Sequence, residues 1–427
     1  MNVRRSAAAL AASAVLCAGA APAALATTAP PAPSAPPVVP AGLYGTADPS
    51  YDGVWRQSFA LLAQDTVGVV PAAQAVDWLV GQQCANGAFS SFRADTAKPC
   101  DATTMLDSNA TAMAVQALTA LGGREATVTK AVDWLKSVQN EDGGWSYVPG
   151  SPSESSSTSL VLSTLGVAGA SPADVTSGTG RSGYDALLPF QLGCDAEPAA
   201  DRGAFAYEVK DGKRFANADA TAAATLAVLG KGAVVAPAAA DTPAPAPECP
   251  AGAKDLAGAA RGSAGHLAEA LKKDGHFTVA TPGSDQVAPD YANTADAVIA
   301  LAAGGHRQAA EGALQWLKAH SAEWAEGSPA ALGTLVLAAH ATGTDPKSFG
   351  STDLVAALNA TGPAPQAAGT GTKDSAAKPA EQQDKDKDGD KGGDSGNGTV
   401  WWIIGAGAAA GTGIGILLSG RRKKNQL

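Results

Sequence analysis

Two stretches decide the fold: AVDWLVGQQCANGAF at 75–89 and AVDWLKSVQNEDGGW at 131–145, which align without a gap. Trp78 falls over Trp134, Gln83 over Gln139, Gly87 over Gly143 and Phe89 over Trp145. HLAEALKKDGHF at 266–277 repeats the tail, with Gly275 and Phe277 in register. LLPFQLGC…RGAF at 187–205 repeats it with an insertion, and ALQWLKAH at 313–320 keeps only the helical half. Such self-similarity means stacked units, none of which can bury its apolar face alone.

A second element alternates with the first, opening at Asp107, Ser155, Asn217, Asp290 and Ser328. Each copy carries apolar residues at helical spacing and most close on Gly, the pattern of a helix with a polar N-cap and a glycine stop. Counting both kinds predicts about twelve helices, near 52–65, 71–84, 107–121, 124–139, 155–168, 181–192, 217–230, 254–272, 290–304, 306–320, 328–342 and 350–360. Twelve helices of alternating kind are six pairs. Six pairs can close into a ring, with the Ala/Thr-rich set inside because crowding at the axis favours small side chains. An open solenoid of helix pairs is the alternative.

The run Gln139-Asn-Glu-Asp-Gly143-Gly144-Trp145 resembles the QW motif of the terpenoid cyclase and protein prenyltransferase family, with squalene–hopene cyclases among its members. The resemblance covers roughly 43–360 and implies an all-α fold, an α/α toroid of about six helix pairs. In that family the Gln ties an outer helix to the next turn and the aromatic packs beneath it. Relatives include prenyltransferase beta subunits, complement-type thioester domains and the cobalamin-binding domain of transcobalamin, so the fold does not choose a function.

Outside the repeats, residues 1–26 read as a secretory signal peptide: Arg4 and Arg5, an apolar run, then small residues before Thr27. A Pro/Ala-rich linker follows at 27–42, and a similar stretch interrupts the body at 233–250. Residues 361–399 are a charged stalk with no apolar content to bury. Residues 400–419 read as one transmembrane helix, flanked by Trp401 and Trp402 and followed by the basic tail 420–427. This organisation predicts an exported, membrane-anchored protein with its bulk extracytoplasmic and its C-terminus cytoplasmic. Removing the six cations of the two ends leaves the body at −16, against −10 for the whole chain. A body this acidic is a poor partner for nucleic acid. Four cysteines remain after the leader, and export permits disulfides. Neighbour pairing gives Cys84–Cys100 and Cys194–Cys249; a metal site is the rival, but no CxxC spacing or adjacent His supports it.

The resemblance also fixes what a cyclase would need: an acid motif of the form Asp-x-Asp-Asp-Thr-Ala, whose middle Asp donates the first proton. Here the matching stretch is Asn217-Ala218-Asp219-Ala220-Thr221-Ala222, in which Asp219 falls on the proton donor while both flanking acids are lost. The same half-motif recurs at Asp107-Ser-Asn109-Ala-Thr111-Ala112. A feature shared by repeats is usually a repeat feature, so Asn217, Asp219, Asp107 and Asn109 are expected to cap helices. The body has six Trp, several already used by the repeat, which leaves few rings to line a cavity. All five His lie after residue 260, none paired on one helix face; His276 is the ligand-binding position to watch. No metal site and no cofactor are expected. These readings predict a non-enzymatic surface protein that binds a bulky small molecule, cobalamin-like by analogy of fold, and hands it to a membrane transporter. An extracytoplasmic cyclase or prenyltransferase and a surface scaffold or adhesin are the alternatives.

Overall fold

A computed structural model of the chain describes residues 39–193, 195–246, 255–280 and 286–367. The leader at 1–26, the stalk from 368 on, the apolar stretch 400–419, the tail 420–427, Cys194 and Cys249 lie outside the described residues.

In chain order the described residues form α1 (Gly53–Thr66), α2 (Ala73–Gly81), α3 (Ser108–Leu121), α4 (Glu125–Ser137), α5 (Ser155–Val167), α6 (Gly183–Leu187), α7 (Ala218–Val228) and α8 (Leu256–Leu271). After these come strands β1 (Phe277–Ala280) and β2 (Val287–Asp290), then α9 (Tyr291–Ala303), α10 (Arg307–His320), α11 (Ala322–Ala325), α12 (Pro329–Thr342) and α13 (Leu354–Asn359). The described part is therefore mostly helical. Among the described residues no helix is long and apolar enough to cross a membrane.

Six of these helices form an inner circle. α1 packs on α3, α3 on α5, α5 on α7, α7 on α9, α9 on α12, and α12 returns to α1. The open solenoid is thereby set aside, and the circle is compatible with an α/α toroid. Inner helices are buried almost all round: α7 hides Ala220, Thr221, Ala222, Ala224, Thr225 and Ala227, and α12 hides Leu332, Leu335, Val336 and Leu337. Outer helices bury one stripe, as α10 does with Ala310, Ala313, Leu314 and Leu317 at helical spacing. Side chains of Asp107, Asn217, Asp290 and Ser328 cap α3, α7, α9 and α12 by accepting a first-turn N–H.

The repeat turn works through hydrogen bonds that recur copy by copy. Gln83 Nε2 donates to Gly87 O and to Thr127 O at the start of α4. Gln139 Nε2 reaches Gly143 O, and Gln191 Nε2 reaches Gly203 O and Ala259 O in α8. The aromatic beneath is fixed by its backbone: the N–H groups of Phe89, Trp145, Phe205 and Phe277 donate to the hydroxyls of Thr111, Thr158, Thr221 and Thr294 at 2.9–3.0 Å. Trp145 is fully buried and its indole N–H donates to Leu135 O at 2.7 Å, one of the carbonyls left free at the end of α4. Gly143 has φ +92, and a Cβ there would stand 2.2 Å from Ser182 O, so only glycine fits the turn. Two residues past the aromatic, the carbonyls of Ser91, Tyr147 and Tyr207 accept from Val54, Ser108 and Ser155, which stitches each inner helix to the following turn.

Two features depart from the sequence expectation, and a third adds contacts to it. The hairpin β1–β2 was not foreseen; it lengthens a pairing found in other repeats, since Thr278 faces Pro289 as Ser90 faces Leu106 and Ala206 faces Ala216. The short α11 adds a thirteenth helix between α10 and α12. The stretch expected to be a linker from 233 is irregular and mostly exposed as far as it is described, but it touches the ring at a few points. Val235 is buried, the Ala233 N–H donates to Gln116 Oε1, and Thr242 and Asp241 bond the α9–α10 connection. Its start also meets Val167, at the end of α5, and Pro237 lies near Gly343, which caps α12. This strap lies across the C-terminal ends of the inner helices.

The two ends of the ring meet at one seam. Gly45 N–H donates to Thr361 O at 2.8 Å, Tyr44 OH to Pro363 O at 3.2 Å and Gln366 Nε2 to Pro71 O at 2.9 Å. A disulfide joins Cys84 and Cys100 in the loop that follows α2.

Candidate active site

Inside the ring is a cavity of about 150 Å³. Its wall follows a simple register. Counted from the N-cap, the second residue of the inner helix supplies Asn109, Ser156 and Asp219; the sixth supplies Met113, Leu160 and Asp296; the ninth supplies Gln116, Ser163, Leu226, Ile299 and Leu337. Those three positions form one face of a helix. Trp55 and Phe59 of α1 add two rings, 5.2 Å apart between centroids. Gly232 and Ala233 of the strap close the far end, held by Gln116, whose Nε2 in turn donates to Thr164 Oγ1.

This register corrects the expectation that Asp219 is a cap. Asn217 is the cap of α7, its Oδ1 accepting the Ala220 N–H at 2.8 Å. Asp219 lies two residues on, turned into the cavity, and accepts from Ser156 Oγ at 2.6 Å. Asp107 and Asn109 split in the same way. Asp107 caps α3, while the Asn109 carbonyl oxygen is buried in the wall with no hydrogen-bond partner. The conserved geometry of the turn sets the phase, because Thr111 and Thr221 each stand four residues after the cap and also bond its carbonyl.

Asp296 was missed at the sequence level. It is the one acid within YANTADAVIALAA, the otherwise apolar α9, and that isolation was the available signal. Burial raises its pKa to about 8, with the nearby carboxylates of Asp219 and Asp290 acting in the same direction. Burial also raises the pKa of Asp219; the Ser156 hydroxyl opposes this, and Glu154 and Asp290 add to it. The two acids thus share a cavity but differ in support: Asp219 has a donor that favours its charged form, and Asp296 is surrounded in ways that favour the neutral form. Among the described residues, no Lys, Arg or His lines the cavity. Trp55 and Phe59 are the two rings in its wall, in keeping with the expectation that few were left for it.

His276 is elsewhere. Its ring stacks on Trp316 at 4.2 Å, with Nδ1 2.8 Å from Asp274 O, and it takes no part in the cavity wall. Trp78, Gln83, Gly87, Phe89, Trp134, Gln139, Gly143, Trp145, Gly275 and Phe277 belong to the repeat turns and their outer helices, outside the cavity lining. Among the described residues, no group of three or more His, Cys, Asp or Glu could hold a metal ion.

No family model and no curated protein matches the chain. Solved structures do resemble it. A protein from Actinoplanes is 16% identical, over 71% of this chain and 93% of that one, with a TM-score of 0.45. A wild-type glycosidase is 13% identical over 70% and 90%, with a TM-score of 0.41. A sugar epimerase from a ruminal bacterium is 12% identical over 65% and 80%, with a TM-score of 0.37. These values are too low to assign an activity.

The expectation of a non-enzymatic carrier for a cobalamin-like molecule does not survive. The protein's cavity, about 150 Å³, is smaller than the roughly 300–1,000 Å³ of sites for drug-sized ligands, and far too small for a corrinoid. In addition, the worn acid motif that motivated the carrier reading proves to aim Asp219 at a second acid. The cyclase-specific part of the resemblance is likewise without support, and the membrane-spanning stretch expected at 400–419 lies outside the described residues.

Proposed function

We propose that the protein is an acid–base enzyme built on an α/α toroid of six helix pairs, with Asp296 as proton donor and Asp219 as its ionised partner. The observation that carries this reading is the meeting of both carboxyls in one largely apolar cavity whose other charged neighbours are acids. Burial raises the pKa of both, but only Asp219 has a hydroxyl donor that favours its charged form, and such a difference is a usual basis for assigning an acid and its charged partner. A substrate atom beside Asp296 takes its proton. Positive charge that develops next to that atom faces the Asp219 carboxylate, which Ser156 holds in place. Trp55 and Phe59 keep water away and present ring faces to the same charge. Bond cleavage or isomerisation begun by protonation fits this arrangement. The same proposal places the head outside the cytoplasm, a reading supported by the leader-like residues 1–26 and the Cys84–Cys100 disulfide.

An infrared difference spectrum between the full chain and Asp296→Asn at pH 7 should show a protonated carboxyl. A substrate screen starts from glycosides, and any turnover found should fall about 10²–10⁴-fold in Asp296→Asn. An Asp296 that is ionised at pH 7, or turnover that survives its removal, would overturn the assignment.

A further inference from the structure

One end of the cavity is closed by a piece of irregular chain instead of a helix. Gly232 and Ala233, at the start of the strap, line that end, and one buried side chain fixes them there. Gln116 lies in α3 among Val115, Ala117 and Leu118, and the other ninth-position residues of the wall are Ser163, Leu226, Ile299 and Leu337. Its Oε1 accepts the Ala233 N–H at 2.9 Å, and its Nε2 donates to Thr164 Oγ1 at 2.9 Å. A buried amide oxygen without a donor is costly, so lifting the strap would orphan Gln116 as well as Ala233. Gly232 is closely fitted too: a Cβ there would stand 2.5 Å from Val167 Cγ2 and 2.8 Å from Gln116 Oε1. Farther along, Asp241 Oδ2 accepts the Gln308 N–H at 2.9 Å, and the Thr242 N–H donates to Gly305 O at 2.8 Å. The strap therefore has two separate anchors, and only the first belongs to the cavity wall.

We infer that Gln116, Gly232 and Ala233 set the size of the substrate: the cavity takes a mostly apolar group no larger than one six-membered ring, and the strap is the stop that excludes a second ring. A cavity of about 150 Å³ with apolar walls holds a molecule of the size of benzene. The wall suits such a body, since Met113, Leu160, Leu226 and Ile299 line it together with the rings of Trp55 and Phe59. Asn109, Ser156 and Asp219 come from the second residues of their helices, whereas Gln116 comes from a ninth, so the strap closes the end opposite to them. A bound group thus keeps its polar atom at the Asp219 end and its apolar body toward the strap. A longer group could fit only by displacing Gly232 and Ala233.

This inference rests on the acid–base reading in taking this cavity as the site of reaction, but it concerns fit alone and can fail separately. The test is calorimetry on the full chain at pH 7 with benzyl alcohol and 2-naphthalenemethanol, two neutral alcohols that differ by one fused ring. Buried apolar area alone would favour the larger probe; the wild type should instead bind benzyl alcohol at least tenfold tighter. Gln116→Leu nearly keeps the side-chain volume but removes the acceptor of the Ala233 N–H, and Gly232→Ala pushes the strap away from Val167 and Gln116. The two variants act from opposite sides of the contact, so a folding defect in one leaves the other as the test. In both, amide exchange at Ala233 should speed up at least tenfold and the preference should move tenfold or more toward the two-ring alcohol, while exchange at Thr242 in the second anchor stays as in the wild type. Equal or tighter binding of the two-ring alcohol by the wild type, or no binding of benzyl alcohol at millimolar concentration, would overturn the inference. So would unchanged exchange at Ala233 in both variants, or an unchanged preference where that exchange has risen. None of these outcomes touches the infrared result on Asp296, and an ionised Asp296 with the size preference intact would overturn the acid–base reading and spare this one.

Discussion

Replacing Asp296 by Asn should change how stability depends on pH. In the folded protein Asp296 keeps its proton up to about pH 8, whereas in the unfolded chain it loses it near the ordinary value of 3.8. Between those values the native state binds more protons than the unfolded one. Stability contributed by this group is therefore complete below about pH 4 and is lost as pH rises through 8. At about 1.4 kcal/mol per pH unit, the window from pH 5 to 8 corresponds to a loss of roughly 4 kcal/mol. Asn has nearly the same shape and no charge to desolvate. Asp296→Asn should thus match the wild type near pH 4, and its advantage should grow by about 4 kcal/mol between pH 5 and pH 8. Urea unfolding followed by far-UV circular dichroism, at half-unit steps from pH 5 to 9, gives the comparison. Buried His266 and the half-buried His340, whose pKa values burial lowers, pull stability the opposite way as pH falls, but they are common to both proteins and cancel in the difference. A difference that stays flat from pH 5 to 9 would refute the claim that Asp296 is held neutral.

Three further outcomes test the repeat turn by the same unfolding method. Trp145→Ala should cost about 3–5 kcal/mol, and Trp145→Phe about 1–2 kcal/mol for the carbonyl of Leu135 left without its indole donor; a loss below about 1 kcal/mol for the alanine variant would mean that the ring is not buried. Gly143→Ala should cost at least about 2 kcal/mol because its Cβ meets the backbone of Ser182, whereas Gly343→Ala, in the left-handed region with no atom nearer than 3.7 Å to its Cβ, should cost about 1 kcal/mol; equal losses would remove the steric argument. Thr221→Val should cost about 1–3 kcal/mol by orphaning the buried Phe205 N–H, and Thr221→Ser should recover most of it; no recovery would assign the loss to packing instead.

The repeat was legible because its bonds are short in sequence. Gln139 reaches Gly143, four residues away, and the aromatic that follows at 145 packs beneath the helix that precedes it. Two gapless copies of such a unit therefore display their geometry as a spacing. The ring could be counted for the same reason, since each helix pair is local. The site was less legible. In Asn217-Ala218-Asp219 either polar residue makes a sound N-cap, and the choice is made by Thr221, which lies four residues after Asn217 and bonds both its carbonyl and the next turn. Asp296 shows no motif at all. Its meaning depends on which face of α9 looks at the axis, and that is settled by neighbours far away in sequence. The strap has the composition of a linker, and composition does not show its few contacts with the ring, such as Val235 and the Ala233 N–H.

The seam between the ends of the ring has a mechanical consequence. Because the chain enters at Tyr44 and Gly45 and leaves at Thr361 and Pro363, tension applied along the polypeptide passes directly from one strand of chain to the other. The load falls first on the hydrogen bonds of that seam and then on the contact of α1 with α12, the place where the hoop of helices closes. A pull on the two ends therefore strains a single clasp, and because Trp55 and Phe59 of α1 and Leu337 of α12 line the cavity, loss of that clasp loosens the cavity wall on the same side.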